Sequence, residues 1–356
     1  MQKNILAALL SVKGHSLNDH EKYLFEKYNP LGVTLFARNL FSAEQTINLV
    51  KSIKETIGRN DVLIALDEEG GRVERLAQIG FDLHASQNIL GLTDDKKITK
   101  LHARLIAANM KKIGANLNFA PVLDVGYSDI TIALKNRCFG IDKEKIAQHG
   151  KILCEEYINE GICPCIKHIP GHGRAVNDPH KELSAINCSI DQLENDFYPF
   201  QQLKNMPMAM SAHILLTQID NKNPITVSPK GIKEIIRDFI GFNGFLISDA
   251  IDMHALKGNI IQKAKASWQA GCDGICYCLA DATEMEELCK NGKYLDDISL
   301  ERYETIKKII CSKKNTIILD NQKKEYYSAI SGFTEELVNY DAITVLHQLK
   351  EGEKIC

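Results

Sequence analysis

The sequence predicts an α/β protein folded as a single (β/α)8 barrel of the TIM type with a C-terminal helical extension. Three observations carry that expectation. Eight short apolar runs rich in β-forming residues recur along the chain, longer stretches of helical periodicity lie between them, and no Pro/Gly/Ser-rich linker or low-complexity segment divides the 356 residues. Continuous apolarity suits strands covered on both faces, and alternation with helices indicates parallel βαβ units. Length alone suits either one barrel or two ordinary domains, but eight unbroken units favour closure into one barrel over a doubly wound sheet with a second domain.

The runs lie around residues 5–12, 31–37, 62–67, 116–122, 162–168, 207–213, 244–249 and 273–278. The first follows Met1-Gln2-Lys3-Asn4 and superficially resembles a short secretory leader. Lys13-Gly14-His15 comes next without a small-x-small cleavage pattern, so the run is read as a first strand. After the second run, the segment from Ala43 to Ile53 sets Ile47, Val50 and Ile53 near one another on a helix surface with polar residues outward. The third run ends in Asp67, the fourth leads to Asp124, the fifth ends in Lys167-His168, the sixth in His213 and the seventh in Ser248-Asp249. Asp252, three residues beyond, is read as lying in the first turn of a short helix. The tail after about residue 315 is polar, then helical in pattern through Glu335-Glu336-Leu337-Val338. It is expected to pack outside the barrel, which gives one catalytic domain over 1–356 with 315–356 as its extension.

The composition is 44% hydrophobic and 25% charged with a formal net charge of −3, which is ordinary for a soluble protein and gives no electrostatic bias toward nucleic acid or anionic membrane. No apolar run approaches the roughly 20 residues that cross a bilayer. The 11 cysteines form an odd set, several lie inside apolar runs, and their spacing offers neither a CxxC pair nor a zinc ribbon. Buried free thiols in a reducing compartment account for them. The expectation is therefore a cytoplasmic protein without metal or cofactor, a monomer or homodimer, binding neither nucleic acid nor membrane.

A barrel exposes its reactive residues where the βα loops gather, at the carboxyl ends of the strands, and five of the eight predicted strand ends carry ionisable groups. Taken singly, each reads equally well as a helix cap or a solvated charge; their gathering on one rim points to chemistry. The richest stretch runs from Lys167-His168-Ile169-Pro170-Gly171-His172-Gly173 to Asn177-Asp178-Pro179-His180. In one reading Asp178 and His180 form a dyad, the carboxylate fixing one imidazole tautomer so that the other nitrogen exchanges a proton with a reacting oxygen. In a second, His168, His172, Asp178 and His180 bind zinc or another divalent ion. In a third the histidines only cap a loop. At the seventh strand end, Asp249 is placed to attack an anomeric carbon and form a covalent glycosyl intermediate.

Taken together, Leu66-Asp67-Glu68-Glu69-Gly70-Gly71-Arg72-Val73-Glu74-Arg75-Leu76, Lys167-His168-Ile169-Pro170-Gly171-His172-Gly173 and Ile247-Ser248-Asp249 resemble the family 3 glycoside hydrolases. More narrowly, they are similar to the bacterial β-N-acetylglucosaminidases that recycle cell-wall muropeptides. Gly32 to Asn39, Asn118 to Val125, Arg137-Cys138-Phe139-Gly140 and Met210-Ser211-Ala212-His213 add to the resemblance, which covers roughly residues 5–285. The resemblance implies that Asp67, Arg75, Arg137, Lys167 and His168 bind the terminal sugar. It also implies that His180, oriented by Asp178, is the general acid/base and Asp249 the nucleophile of a retaining exo-β-N-acetylglucosaminidase acting on a small carbohydrate or muropeptide. The chain departs from the branch at Pro179, where a small polar residue is common, at Ala250, where an acidic residue often follows the nucleophile, and over Lys181-Glu182-Leu183-Ser184. A β-glucosidase or glycoside phosphorylase of the same family, a metal-dependent hydrolase and a non-catalytic sugar-binding barrel stand as alternatives.

Overall fold

In the computed structural model, which describes residues 4–178, 181–312 and 318–333, all eight apolar runs contain strands, and the strands close a parallel barrel. They are β1 (Leu6–Ser11), β2 (Pro30–Thr34), β3 (Leu63–Leu66), β4 (Leu117–Asn118), β5 (Cys163–Ile169), β6 (Met208–Ser211), β7 (Phe245–Ala250) and β8 (Gly274–Cys276). Each strand pairs with its sequence neighbours, and the ring is closed by β1 on β8 through Ala8 opposite Ile275 and Leu9 opposite Cys276. Every residue of β1, β2, β3 and β5 is buried, because barrel strands have side chains inside the ring on one face and helices on the other. Only glycine serves at position 32: a Cβ there would lie 2.0 Å from the Leu63 carbonyl oxygen on the adjoining strand.

The surrounding helices are α1 (Asp19–Tyr28), α2 (Ala43–Ile57), α3 (Gln87–Thr93), α4 (Lys96–Lys112), α5 (Lys143–Asn159), α6 (Ile190–Gln202), α7 (Ile260–Ala270), α8 (Ala282–Asn291), α9 (Asp297–Ile310) and α10 (Asp320–Ile330), with a π-helix over Gly231–Phe239 between β6 and β7. Local chemistry sets their ends. In α2, Ser42 accepts from the Gln45 N–H at the start, and Gly58 closes the end in the left-handed region at φ 75°. The buried face of α2 is Thr46, Leu49, Val50, Ile53 and Ile57. Ile47, expected on that face, is 43% exposed, because Leu49 and Val50 centre the stripe about a hundred degrees away.

Asp252 also differs from its expected place. It lies in a turn, and the next helix begins only at Ile260, capped by the Asn259 side chain. The chain beyond β8 packs outside the barrel: α10 lies against α3 and α4 with Tyr326 fully buried. The segment from Glu335 to Val338 falls outside the described residues. Among the described residues no helix is long and apolar enough to cross a membrane.

Candidate active site

Because all eight strands run parallel, the residues that follow them gather at one end of the barrel. At the end of β3, Asp67 precedes a tight hairpin in which Glu68–Gly70 pairs antiparallel with Val73–Glu74, the turn being made by Gly70 and Gly71 at φ 89° and 61°. Across the mouth, Lys167 on β5 points its ammonium at Asp67 Oδ1 (2.8 Å) and Glu69 Oε1 (2.6 Å). Arg137, on the loop between β4 and α5, meets the same Glu69 with two nitrogens, Nε to Oε2 at 2.8 Å and Nη2 to Oε1 at 2.7 Å. Its remaining Nη1 donates to the Ala133 carbonyl at 2.7 Å. Glu69 thus bridges Lys167 and Arg137, and Lys167 in turn holds Asp67 in the same cluster.

The electrostatics follow from that geometry. Burial opposes ionisation of Glu69, but the adjacent Arg137 and Lys167 charges outweigh it and hold the carboxyl far below the usual range. Burial likewise opposes the Lys167 charge, and Asp67 and Glu69 together keep the ammonium protonated. Two anions and two cations leave the cluster neutral overall. Glu68 faces the other way: its carboxylate accepts from the Arg75 and Leu76 N–H groups at 2.9 and 2.6 Å. Burial and the neighbouring Glu74 nevertheless push it up to about 8. Arg75 is held by its backbone at this point, and its Nε is buried without a hydrogen-bond partner.

A second cluster lies at the ends of β4 and β5, where the Lys167–His168 peptide bond is cis. Asp124 accepts from His168 Nδ1 at 2.6 Å and from the His172 N–H at 2.7 Å. Burial pushes the Asp124 carboxyl up, but His168 and His172 outweigh it and leave it below its ordinary value. With Nδ1 engaged as a donor to Asp124, His168 keeps Nε2 for a ligand. His172 is buried with both ring nitrogens unpartnered among the described residues, and burial lowers it to about 4, so its imidazole is neutral near pH 7.

Asp249 sits in β7, partly exposed, with the Ala250 N–H donating to its Oδ1 at 2.7 Å. Its charge acts on the His172 ring and on the Cys278 thiol, which places the carboxylate among the residues of the rim. Behind it, His213 Nε2 lies 3.0 Å from the Ala250 carbonyl oxygen and Nδ1 lies 2.8 Å from Thr226 Oγ1. A carbonyl only accepts, so Nε2 carries a proton, while the Thr226 hydroxyl beside Nδ1 donates to the Ala212 carbonyl at 3.0 Å. Asp252 is buried below: Oδ1 accepts from the Cys278 N–H at 2.9 Å, and burial pushes the carboxyl up to about 6. Asp178 is buried on the loop after β5, its carbonyl accepting from the Lys181 and Glu182 N–H groups at 2.9 Å each. Pro179 and His180, the other half of the expected dyad, lie outside the described residues.

Glu69 was not separable from its motif by sequence reasoning, and His172 was visible only as one of the alternative metal-binding set. Asp124 and His213 were visible as ionisable groups at strand ends. Nothing in the spacing of Asp67-Glu68-Glu69 says which carboxylate turns to the rim and which to the interior. Among the described residues no group of three or more His, Cys, Asp or Glu side chains is arranged to hold a metal ion. What the rim offers is a set of fixed donors and acceptors around a partly exposed carboxylate, the equipment for orienting a polyhydroxylated ring against an oxygen nucleophile.

Comparison with known proteins agrees with this geometry. The Glycosyl hydrolase family 3 N terminal domain matches residues 3–306. The β-hexosaminidase of Bordetella avium is 31% identical over 281 residues, 76% of this chain and 79% of that protein. That of Stenotrophomonas maltophilia is 32% identical over 302 residues, 82% and 89% of the two chains. Among solved structures, NagZ from Neisseria gonorrhoeae in complex with N-trifluoroacetyl-D-glucosamine superposes with a TM-score of 0.80 at 27% identity, covering 92% of this chain and 98% of that one. A β-N-acetylglucosaminidase from Paenibacillus sp. FPU-7 shares the fold with a TM-score of 0.82 at 22% identity, over 91% of this chain and 66% of that one. A (β/α)8 barrel whose third, fifth and seventh strands end in these motifs, matched over residues 3–306, belongs to glycosyl hydrolase family 3.

Proposed function

We propose that the protein is a retaining exo-β-N-acetylglucosaminidase that removes terminal β-linked N-acetylglucosamine, with Asp249 as nucleophile and His180, oriented by Asp178, as general acid/base. The observation that carries this reading is the partly exposed Asp249 carboxylate at the end of β7, on the same rim as the neutral Asp67, Lys167, Glu69 and Arg137 cluster. An oxygen of Asp249 bonds to C1 while the bond from C1 to the leaving oxygen breaks, and His180 supplies that oxygen's proton. Water then attacks C1 from the face vacated, His180 takes the water's proton, and the bond to Asp249 breaks, restoring the carboxylate with the configuration retained. The Ala250 N–H on Asp249 Oδ1 holds the carboxylate plane and favours its charged form.

Asp67, Arg75, Arg137, Lys167 and His168 bind the terminal sugar in this reading. The Arg75 Nε and the His172 ring nitrogens are buried polar atoms without partners, which a sugar hydroxyl or acetamide group satisfies. The relatives named β-hexosaminidase and the neighbour holding an N-acylated glucosamine support the choice of amino sugar. The physiological substrate is a N-acetylglucosaminyl-anhydromuramyl peptide in cell-wall recycling, met in the cytoplasm. The unpaired cysteines support a reducing compartment.

The test is hydrolysis of an aryl N-acetylglucosaminide combined with intact-mass analysis after a 2-fluoro sugar trap. Labelling on Asp249 and loss of turnover in Asp249→Ala are expected, and an unchanged rate in that variant rejects the mechanism. A preference for aryl glucoside, or acceleration by phosphate, would point to a β-glucosidase or phosphorylase instead.

A further inference from the structure

Helix α10 lies beyond residue 306, where the match to the family's N-terminal domain ends, yet its Tyr326 is fully buried. Plain packing explains a buried ring. It does not explain the hydroxyl, which is placed between two groups of the segment that holds the Glu68–Glu74 hairpin. The Ala85 N–H donates to Tyr326 Oη at 2.9 Å, and His102 Nδ1 on α4 lies 2.9 Å from the same oxygen. With the Ala85 donor on the oxygen, the phenol proton goes to His102 Nδ1, so the imidazole carries its proton on Nε2. Burial keeps this ring neutral, with a pKa of about 3.

Both ends of that relay reach the hairpin. The His102 ring abuts Gly70: a Cβ built there would lie 2.9 Å from His102 Cε1. Nε2 makes no hydrogen bond among the described residues, so the ring meets the hairpin by packing on Gly70 beside Glu69. On the other side, the Ala85 carbonyl oxygen would be 2.0 Å from the same built atom, Gly71 N–H donates to the His84 carbonyl at 2.9 Å, and His84 is bonded to Glu74 through its own N–H at 2.9 Å and through Nδ1. One phenol oxygen thus braces the hairpin from two directions, and the hairpin presents Glu69 to Arg137 and Lys167.

We infer that Tyr326, acting through His102 and Ala85, is a positioning residue for the Glu69 clamp, which makes helix α10 part of the framework of the sugar site. The inference rests on the proposed reading of the Asp67, Lys167 and Arg137 rim as the place where the sugar binds. Its signature is a defect in binding that outweighs the defect in turnover, since the hydrogen bonds of Tyr326 run to Ala85 and His102 beside the hairpin.

The experiment uses the full chain with Tyr326→Phe, and Tyr327→Phe as control, because Tyr327 carries a buried hydroxyl without a partner on the same helix. Michaelis constants for an aryl N-acetylglucosaminide and the inhibition constant of free N-acetylglucosamine are measured for each. Tyr326→Phe is expected to raise both constants about tenfold with a much smaller change in kcat, the size expected for one lost buried hydrogen bond, and Tyr327→Phe to change neither. If Tyr326→Phe fails to fold, His102→Gln, which keeps an acceptor for the Tyr326 hydroxyl, is expected to bind the sugar better than His102→Leu. Unchanged constants in Tyr326→Phe, or equal binding by the two position-102 variants, overturn the inference. Wild-type protein that binds N-acetylglucosamine without hydrolysing the glycoside rejects the proposed reaction instead, and the variants are then ranked by binding; wild type that does neither overturns both.

Discussion

Replacing Glu69 with Gln keeps the shape of the side chain and removes one negative charge from between two cations. Lys167 Nζ lies 2.6 Å from Glu69 Oε1 and Arg137 Nη2 lies 2.7 Å from the same atom. The side chains of Glu69 and Lys167 are 1% and 2% exposed, so the substitution falls in the regime of buried pairs broken from one side, where about 3–5 kcal/mol is lost, and not that of surface pairs, where about 0–1 is lost. Urea unfolding at pH 7 should show a loss in the upper regime. The pH dependence has a definite sign. The folded-state pKa of Glu69 is depressed below the ordinary carboxyl value of 4.5, so its contribution is complete above that value and is lost only as pH falls through the lower folded value. The gap between wild type and variant should therefore be constant from pH 5 to pH 8. Adding Lys167→Met to Glu69→Gln restores the charge balance and should recover part of the stability without recovering sugar affinity. A loss under about 1 kcal/mol, set by the surface-pair range, or a gap that closes between pH 8 and pH 5, would refute the buried-cluster argument.

Two further perturbations test neighbouring groups. Burial pushes the Glu68 carboxyl up to about 8 in the folded state, well above the ordinary 4.5, so the folded protein holds a proton there that the unfolded chain releases and stability falls as pH rises between the two values. Glu68→Gln keeps an oxygen for the Arg75 and Leu76 N–H groups and should flatten the decline of melting temperature across that window; parallel curves would show that Glu68 is not its source. Asp124→Asn turns an amide donor toward His168 Nδ1 in place of a carboxylate oxygen and should lower kcat/KM roughly tenfold to a hundredfold, the worth of one charge-assisted hydrogen bond. Steady-state kinetics with an unchanged kcat/KM in a folded variant would remove Asp124 from the site's support.

The eight strands were legible because a strand buried on both faces must be apolar along its whole length, a demand that a single sequence shows directly. Helix faces were less so: Ile47, Val50 and Ile53 fit a helical stripe, but whether the stripe is centred on Ile47 or on Leu49 depends on what lies opposite. For the candidate site, strand-end position was enough to find Asp67, Lys167 and Asp249, and motif resemblance added Arg137. The Glu69 carboxylate that joins Lys167 to Arg137 was hidden, since adjacent residues in a tight hairpin point to opposite sides. Tyr326 was hidden more deeply. A tyrosine in a polar tail reads as ordinary satellite packing, and the histidine it meets lies 224 residues earlier.

The ring closure through β1 and β8 also bears on how the molecule is made. Trp268 reaches back to donate from Nε1 to the Ala7 carbonyl at 3.0 Å, beside the Ala8 and Ile275 pairing, so β1 is completed by residues 261 and more positions farther along the chain. A growing chain therefore carries a bare β1 margin until those residues emerge, and contacts of such long sequence separation form slowly. Truncation ahead of Gly274 leaves two unsatisfied margins instead of none, which predisposes any such fragment to associate with its own kind before it reaches a native state.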